Sequence, residues 1–158
     1  MRIKVAGFEP ESIVDGDGIR FVIFTQGCPH HCEGCHNPES HDFNGGTEYD
    51  TSDIIKMIAE NPLISGITLS GGEPFCQQEA CMVIAKEAHR RNLSVWCYTG
   101  FTFEQLKKEP LLKEVNILVD GRFELSQKTL TQPFKGSSNQ RIIDVQKSLL
   151  RNSLVVLY

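Results

Sequence analysis

With 158 residues, 40% hydrophobic and 23% charged, the chain reads as one ordinary globular domain spanning 1–158, able to bury about two-thirds of its unfolded surface. Its formal net charge of −4, with no block of lysines or arginines, argues against nucleic acid or an anionic membrane as partner. No apolar run approaches the ~18 residues of a membrane helix, and "MRIKVAGFEPES" turns acidic where a secretory signal needs its apolar centre. The expectation is a cytoplasmic protein with reduced thiols, in which six cysteines point to metal or catalysis ahead of disulfides.

Along the chain, Asp15-Gly16-Asp17-Gly18 reads as a turn; a calcium loop would need a ligand where Ile19 stands and a distal glutamate that is missing. Four β-branched, apolar runs then each stop at glycine or a polar cluster: "RFVIFTQGC" (20–28), "GITLSGGEP" (66–74), "LSVWCYTG" (93–100) and "VNILVDG" (115–121). Near-continuous runs of this kind suit strands buried on both faces of a parallel sheet.

Helical patterns separate them. "TSDIIKMIAEN" offers Thr51 or Ser52 as N-cap and an apolar stripe of Ile54, Ile55, Met57 and Ile58. "EACMVIAKEAHRRN" places Ala80, Val83, Ile84 and Ala88 on one face, and "TFEQLKKEP" carries a Thr102–Gln105 capping box. After residue 121 comes an irregular excursion, "SQKTLTQPFKGSSNQ", then "RIIDV" as a strand, "QKSLLRN" as a short helix and "SLVVLY" as a last strand.

This order predicts an α/β fold whose chemistry gathers at the carboxyl ends of the strands. A closed eight-stranded barrel takes about 250 residues, so the shorter chain is expected to form an incomplete, laterally open (β/α) barrel.

Cys28, Cys32 and Cys35 fall within the loop after the first of these runs, among His30, His31, His36 and His41. Three readings compete. A Cys28–Cys32 disulfide conflicts with a reducing compartment. A structural zinc on the three cysteines and His36 is the second reading, but zinc ordinarily takes two ligand pairs separated along the chain, and no second pair follows here. An iron–sulfur cube takes one thiolate at each corner, and Pro29 and Gly34 permit the bends. Three local thiols would leave one iron open to a ligand from outside the chain. Cys97 in a strand and Cys81 on a helix read as small buried hydrophobes; Cys76, after the glycine turn, is undecided. His30 and His31 read as a solvated edge of the loop, and His36 as part of a turn after it.

The spacing C-x-x-x-C-x-x-C at 28–35, followed some forty residues later by "GGEP" at 71–74, resembles the radical S-adenosylmethionine superfamily. The strings "ESIVDGDGIRFVIFTQGCPHHCEGCHNPES", "SGGEPF", "YTGFTFEQL", "ILVDGRF" and "GSSNQR" narrow the likeness to the activases of anaerobic ribonucleoside-triphosphate reductases, over residues 5–144. Pyruvate formate-lyase activating enzymes are more distant relatives.

The resemblance implies a barrel of radical SAM type and a [4Fe–4S] cluster on Cys28, Cys32 and Cys35. It implies S-adenosyl-L-methionine on the fourth iron, and cofactor contacts from Ser70, Gly71, Gly72, Glu73, Thr99 and, more loosely, Asp120. Glu73 would orient the methionyl amine. No catalytic residue is implied beyond the cluster.

An external low-potential donor would reduce the cluster, and the resulting 5′-deoxyadenosyl radical would take hydrogen from a glycine of the reductase. Many superfamily members carry an aromatic residue beside adenine just before the third cysteine. Here Gly34 stands there, so the adenine contacts are open, as are the roles of Asn139 and Arg141. Competing activities are activation of another glycyl-radical enzyme, a small-molecule radical reaction, or a non-catalytic iron–sulfur or zinc module.

Overall fold

The computed structural model describes residues 1–158. Its strands are β1 (Arg2–Ser12), β2 (Arg20–Thr25), β3 (Thr47–Asp50), β4 (Gly66–Gly71), β5 (Ser94–Tyr98), β6 (Ile117–Asp120), β7 (Arg141–Asp144) and β8 (Val156–Leu157). They form one sheet in the order β3-β1-β2-β4-β5-β6-β7-β8. β2, β4, β5 and β6 run parallel, and the flanking strands pair antiparallel. β3 and β8 end the sheet without meeting, so the barrel stays laterally open as expected. No helix is long and apolar enough to cross a membrane.

Side-chain alternation divides the core. From β5, Val95 and Cys97 join the large cluster in which Ile54 and Ile58 of α1 (Thr51–Ala59) and Ile84 and Ala88 of α2 (Gln78–Arg90) meet the sheet. Trp96 and Tyr98 point the other way, packing with Val119, Ile142 and Phe134. Arg20 lies on this second side at the amino ends of the parallel strands, 1% exposed. Its guanidinium donates to Thr68 Oγ1 and to the carbonyls of Asp17, Ile67 and Ser94 at 2.8–2.9 Å, with the Trp96 ring 5.7 Å away. Burial lowers its pKa to about 10, so it remains charged at neutral pH.

Two strands are additions to the sequence reading. β1 alternates exposed Arg2 and Lys4 with buried Ile3 and Val5, but a register shift between Val5 and Gly7 breaks the pattern. β3 is a four-residue edge strand, "TEYD", with no fully buried side chain. Two local assignments also change. Asp50 caps α1, its carboxylate accepting from Ser52 N at 3.0 Å, in place of Thr51 or Ser52. In α2 the buried stripe is Ala80, Cys81, Ile84, Ala85 and Ala88, and Val83 faces outward. The Thr102–Gln105 capping box opens α3 (Phe103–Leu106) as read, and α4 (Val145–Arg151) follows β7. The excursion after β6 has one short 3-10 turn, Leu125–Gln127, and a single bridge between Lys128 and Ser137.

Candidate active site

β2, β4, β5 and β6 end on the same edge, and each hands over to a loop carrying residues singled out above. The loop after β2 is zipped at its base: Gly27 N donates to Ser40 O at 2.7 Å and Cys28 N to His41 O at 3.1 Å. Gln26, 4% exposed, fills the loop's footing and donates to the carbonyls of Glu39 and Asp42. The glycine turn after β4 is fastened beneath it, with Gly72 N on Thr25 O at 2.7 Å and Glu73 N on Gly27 O at 2.8 Å. A Cβ on Gly72 would stand 2.5 Å from Gly27 O, so only glycine allows these loops to approach so closely.

One cavity of about 100 Å³ brings together Cys28, Cys32 and Cys35 with Gly71, Gly72, Thr99 and Gly100. Tyr98 and Phe123 are its aromatic walls. All six cysteines are free. Burial pushes the Cys28 thiol up, and the backbone N–H groups of His30 and His31, aimed at its sulfur, pull it down. Cys81 and Cys97 are fully buried in the core as expected, and burial raises the Cys81 thiol to about 12. Cys76 is exposed and lines a separate cavity with Met1, Arg2 and Phe75.

The remaining implied contacts divide between neighbouring cavities. Ser70 lines one of about 340 Å³ that also reaches Cys35 and Tyr98. Asp120 lines a polar one of about 770 Å³, which shares His30, Gly100 and Gly121 with the thiol cavity. Asp120 is 1% exposed. Its carboxylate accepts from Phe103 N at 2.8 Å and from Arg141 at 2.6 and 3.1 Å. Arg141 also reaches Glu104, and these partners, Asp120 first, hold the guanidinium charge more firmly. Asn139 lines the same cavity, with its Oδ1 buried and without a partner.

Glu73 stands where the loops after β2, β4 and β5 meet. It is fully buried, and its carboxylate already accepts from His30 Nε2 (2.7 Å), Thr99 Oγ1 (2.8 and 2.9 Å), Gly100 N (2.8 Å) and Phe75 N (3.1 Å). It ties three loops together. His30 departs from the solvated edge expected of it: its side chain is only 4% exposed, although His31 beside it is solvated as read. Phe123, the last residue of "ILVDGRF", is a wall of the site that no local pattern marks. Its ring lies 5.2 Å from His36, and Leu125 packs where a side chain at Gly34 would begin.

A family model described as a 4Fe-4S single cluster domain matches residues 14–143. The anaerobic ribonucleoside-triphosphate reductase-activating protein of Enterobacteria phage T4 is 34% identical over 140 residues, covering 84% of this chain and 88% of its own. This chain belongs to that family of activating proteins. Members from Haemophilus influenzae and Escherichia coli K12 are each 30% identical, over 147 and 143 residues, covering 85% and 84% of this chain and 94% and 93% of their own. Among solved structures, QueE from Escherichia coli superposes with a TM-score of 0.54 at 12% identity, covering 100% of this chain and 94% of that one. At that identity the likeness is one of fold.

For an activating protein the donor set fits a [4Fe–4S] cluster. Three unbridged thiols open on one cavity. A cube asks for one thiolate at each corner, and a lone tetrahedral ion asks for donors at one point. No fourth cysteine lines the cavity, and of its two histidines His30 is held on Glu73.

Proposed function

We propose that this chain activates an anaerobic ribonucleoside-triphosphate reductase through a [4Fe–4S] cluster held by Cys28, Cys32 and Cys35, with S-adenosyl-L-methionine on the open corner. The supporting observation is the single cavity that joins three thiols to the Gly71–Gly72 turn and the Thr99–Gly100 backbone. When bound, the cluster and cofactor supply reductive cleavage of the sulfonium carbon–sulfur bond and a 5′-deoxyadenosyl radical that takes hydrogen from a glycine of the reductase.

The protein's own residues position and shield that chemistry. The N–H groups of His30 and His31 favour the thiolate of Cys28 against the cost of its burial. Gly71 and Gly72 let backbone approach the cofactor's methionine end, and Ser70 borders the adjoining cavity. Glu73 acts indirectly by holding the turn, and Thr99 acts through it. Asp120, paired with Arg141, lines the wall of the larger cavity, which has room for the rest of the cofactor. The reductant is an external low-potential donor, and the open side of the barrel admits a backbone loop of the partner.

The test is anaerobic reconstitution with iron and sulfide, followed by reductant, S-adenosylmethionine and reductase. Wild type should release 5′-deoxyadenosine carrying deuterium from a labelled glycine of the reductase, and Cys32→Ala should release none. Equal product from both, or product without deuterium, contradicts the assignment.

A further inference from the structure

We propose that His30 is a positioning residue: clamped onto Glu73, its imidazole locks the span carrying Cys32 and Cys35 to the glycine turn. The inference rests on the cluster reading above and gives a task to a side chain that reading does not use.

The hydrogen bonding of the loop carries the argument. Between Pro29 and His36 the chain makes one hydrogen bond to the rest of the fold, His30 Nε2 to Glu73 Oε1 at 2.7 Å. The other bonds there stay inside the loop: Cys35 N to Cys32 O and Asn37 N to Cys35 Sγ. Cys28 is held from the base by backbone, whereas the span of the two later thiols has this as its one hydrogen bond to the fold. With a buried carboxylate as its neighbour, Nε2 carries the proton and donates. A bond of this kind to a charged group is worth more than a neutral one.

The imidazole also has a seat prepared for it. The Phe101 ring meets it edge-on, with centroids 4.6 Å apart at 76°. A Cβ on Gly100 would stand 2.4 Å from the imidazole, so a larger residue there would displace the ring. Next in sequence, His31 has φ +49, a left-handed conformation uncommon outside glycine. That turn sends His31 outward as His30 points in. Glu73 takes further bonds from the loop after β5, so the tether reaches a point already fixed by two other strands.

The test compares wild type with His30→Phe, His30→Asn and His30→Gln. Phe keeps a ring but no donor, Asn keeps an amide too short to reach Oε1, and Gln places an N–H at the required distance. After anaerobic reconstitution, the readouts are iron and sulfide per chain, iron loss to a chelator, and the change in the reduced-cluster EPR spectrum on titrating S-adenosylmethionine. His30→Phe and His30→Asn should lose iron faster and need about tenfold or more S-adenosylmethionine for the spectral change. His30→Gln should recover most of both. Circular dichroism of the metal-free chains identifies any variant that does not fold, and the other then stands in for it.

A folded Phe or Asn variant matching wild type overturns the proposal. A Gln variant as impaired as those two also overturns it, because the hydrogen bond would then not be the agent. Wild type that takes up no cluster removes the reading beneath and this inference with it, a result distinct from either.

Discussion

Thr99 Oγ1 stands between the two carboxylate oxygens of Glu73, 2.8 Å from one and 2.9 Å from the other. Both side chains are buried, and the same hydroxyl accepts from Phe101 N at 3.1 Å. Thr99→Val preserves the shape and removes the hydroxyl. It should cost about 1.5–3 kcal/mol in urea denaturation of the metal-free chain, because a buried charged acceptor loses a donor. Thr99→Ser should retain most of that stability.

The six cysteines should separate by cavity. Alanine at Cys28, Cys32 or Cys35 is expected to abolish stable iron and sulfide binding. Cys76→Ser should bind as wild type does, since its side chain faces elsewhere. Cys97→Ser should also keep its cluster but lose about 1–3 kcal/mol of stability, because a hydroxyl replaces a thiol in a fully buried core. Iron and sulfide analysis beside denaturation curves checks both halves.

Arg20→Leu should destabilise the fold by about 3 kcal/mol or more, stranding the buried carbonyl of Ile67 and the part-buried carbonyl of Ser94 that accept from the guanidinium. Because Arg20 sits at the opposite ends of the strands from the thiols, iron and sulfide per folded chain should not change. Denaturation and metal analysis on the same preparation read the two effects separately.

Glu104 gives a pH dependence of known sign. Its hydrogen bond from Arg141 holds the carboxyl below its ordinary value of 4.5. The contribution is therefore complete above that pH and is lost as pH falls through the lowered native value. Glu104 is largely exposed, so screening limits the effect to about 1 kcal/mol. Melting temperatures of wild type and Glu104→Gln should differ slightly at neutral pH and converge under acid conditions.

The features legible in the sequence share a local cause. "GITLSGGEP" and "VNILVDG" announce strands and their stops because β-branched runs and glycine turns act over a few residues. The Thr102–Gln105 box was readable for the same reason. β1 and β3 were not, because β1 shifts register and β3 is a short, incompletely buried edge. Val83 was misassigned because small residues, Cys81 and Ala85, face the sheet in α2. Alanine is as compatible with surface as with core until a neighbour packs against it.

The site divides along the same line. The sequence by itself determined the spacing of Cys28, Cys32 and Cys35, their place after a strand, and the glycines that let another loop come near. Spacing and turn chemistry are properties of contiguous residues. Only the tertiary structure decided that His30 turns inward while His31 faces solvent, that Glu73 spends its carboxylate on His30, Thr99 and Gly100, and that Cys76 opens away from the three thiols. Those outcomes depend on loops from β2, β4 and β5 arriving at one point, with His30 and Glu73 lying 43 positions apart. Which polar groups meet there follows from how parallel strands bring their ends together, and no local pattern records it.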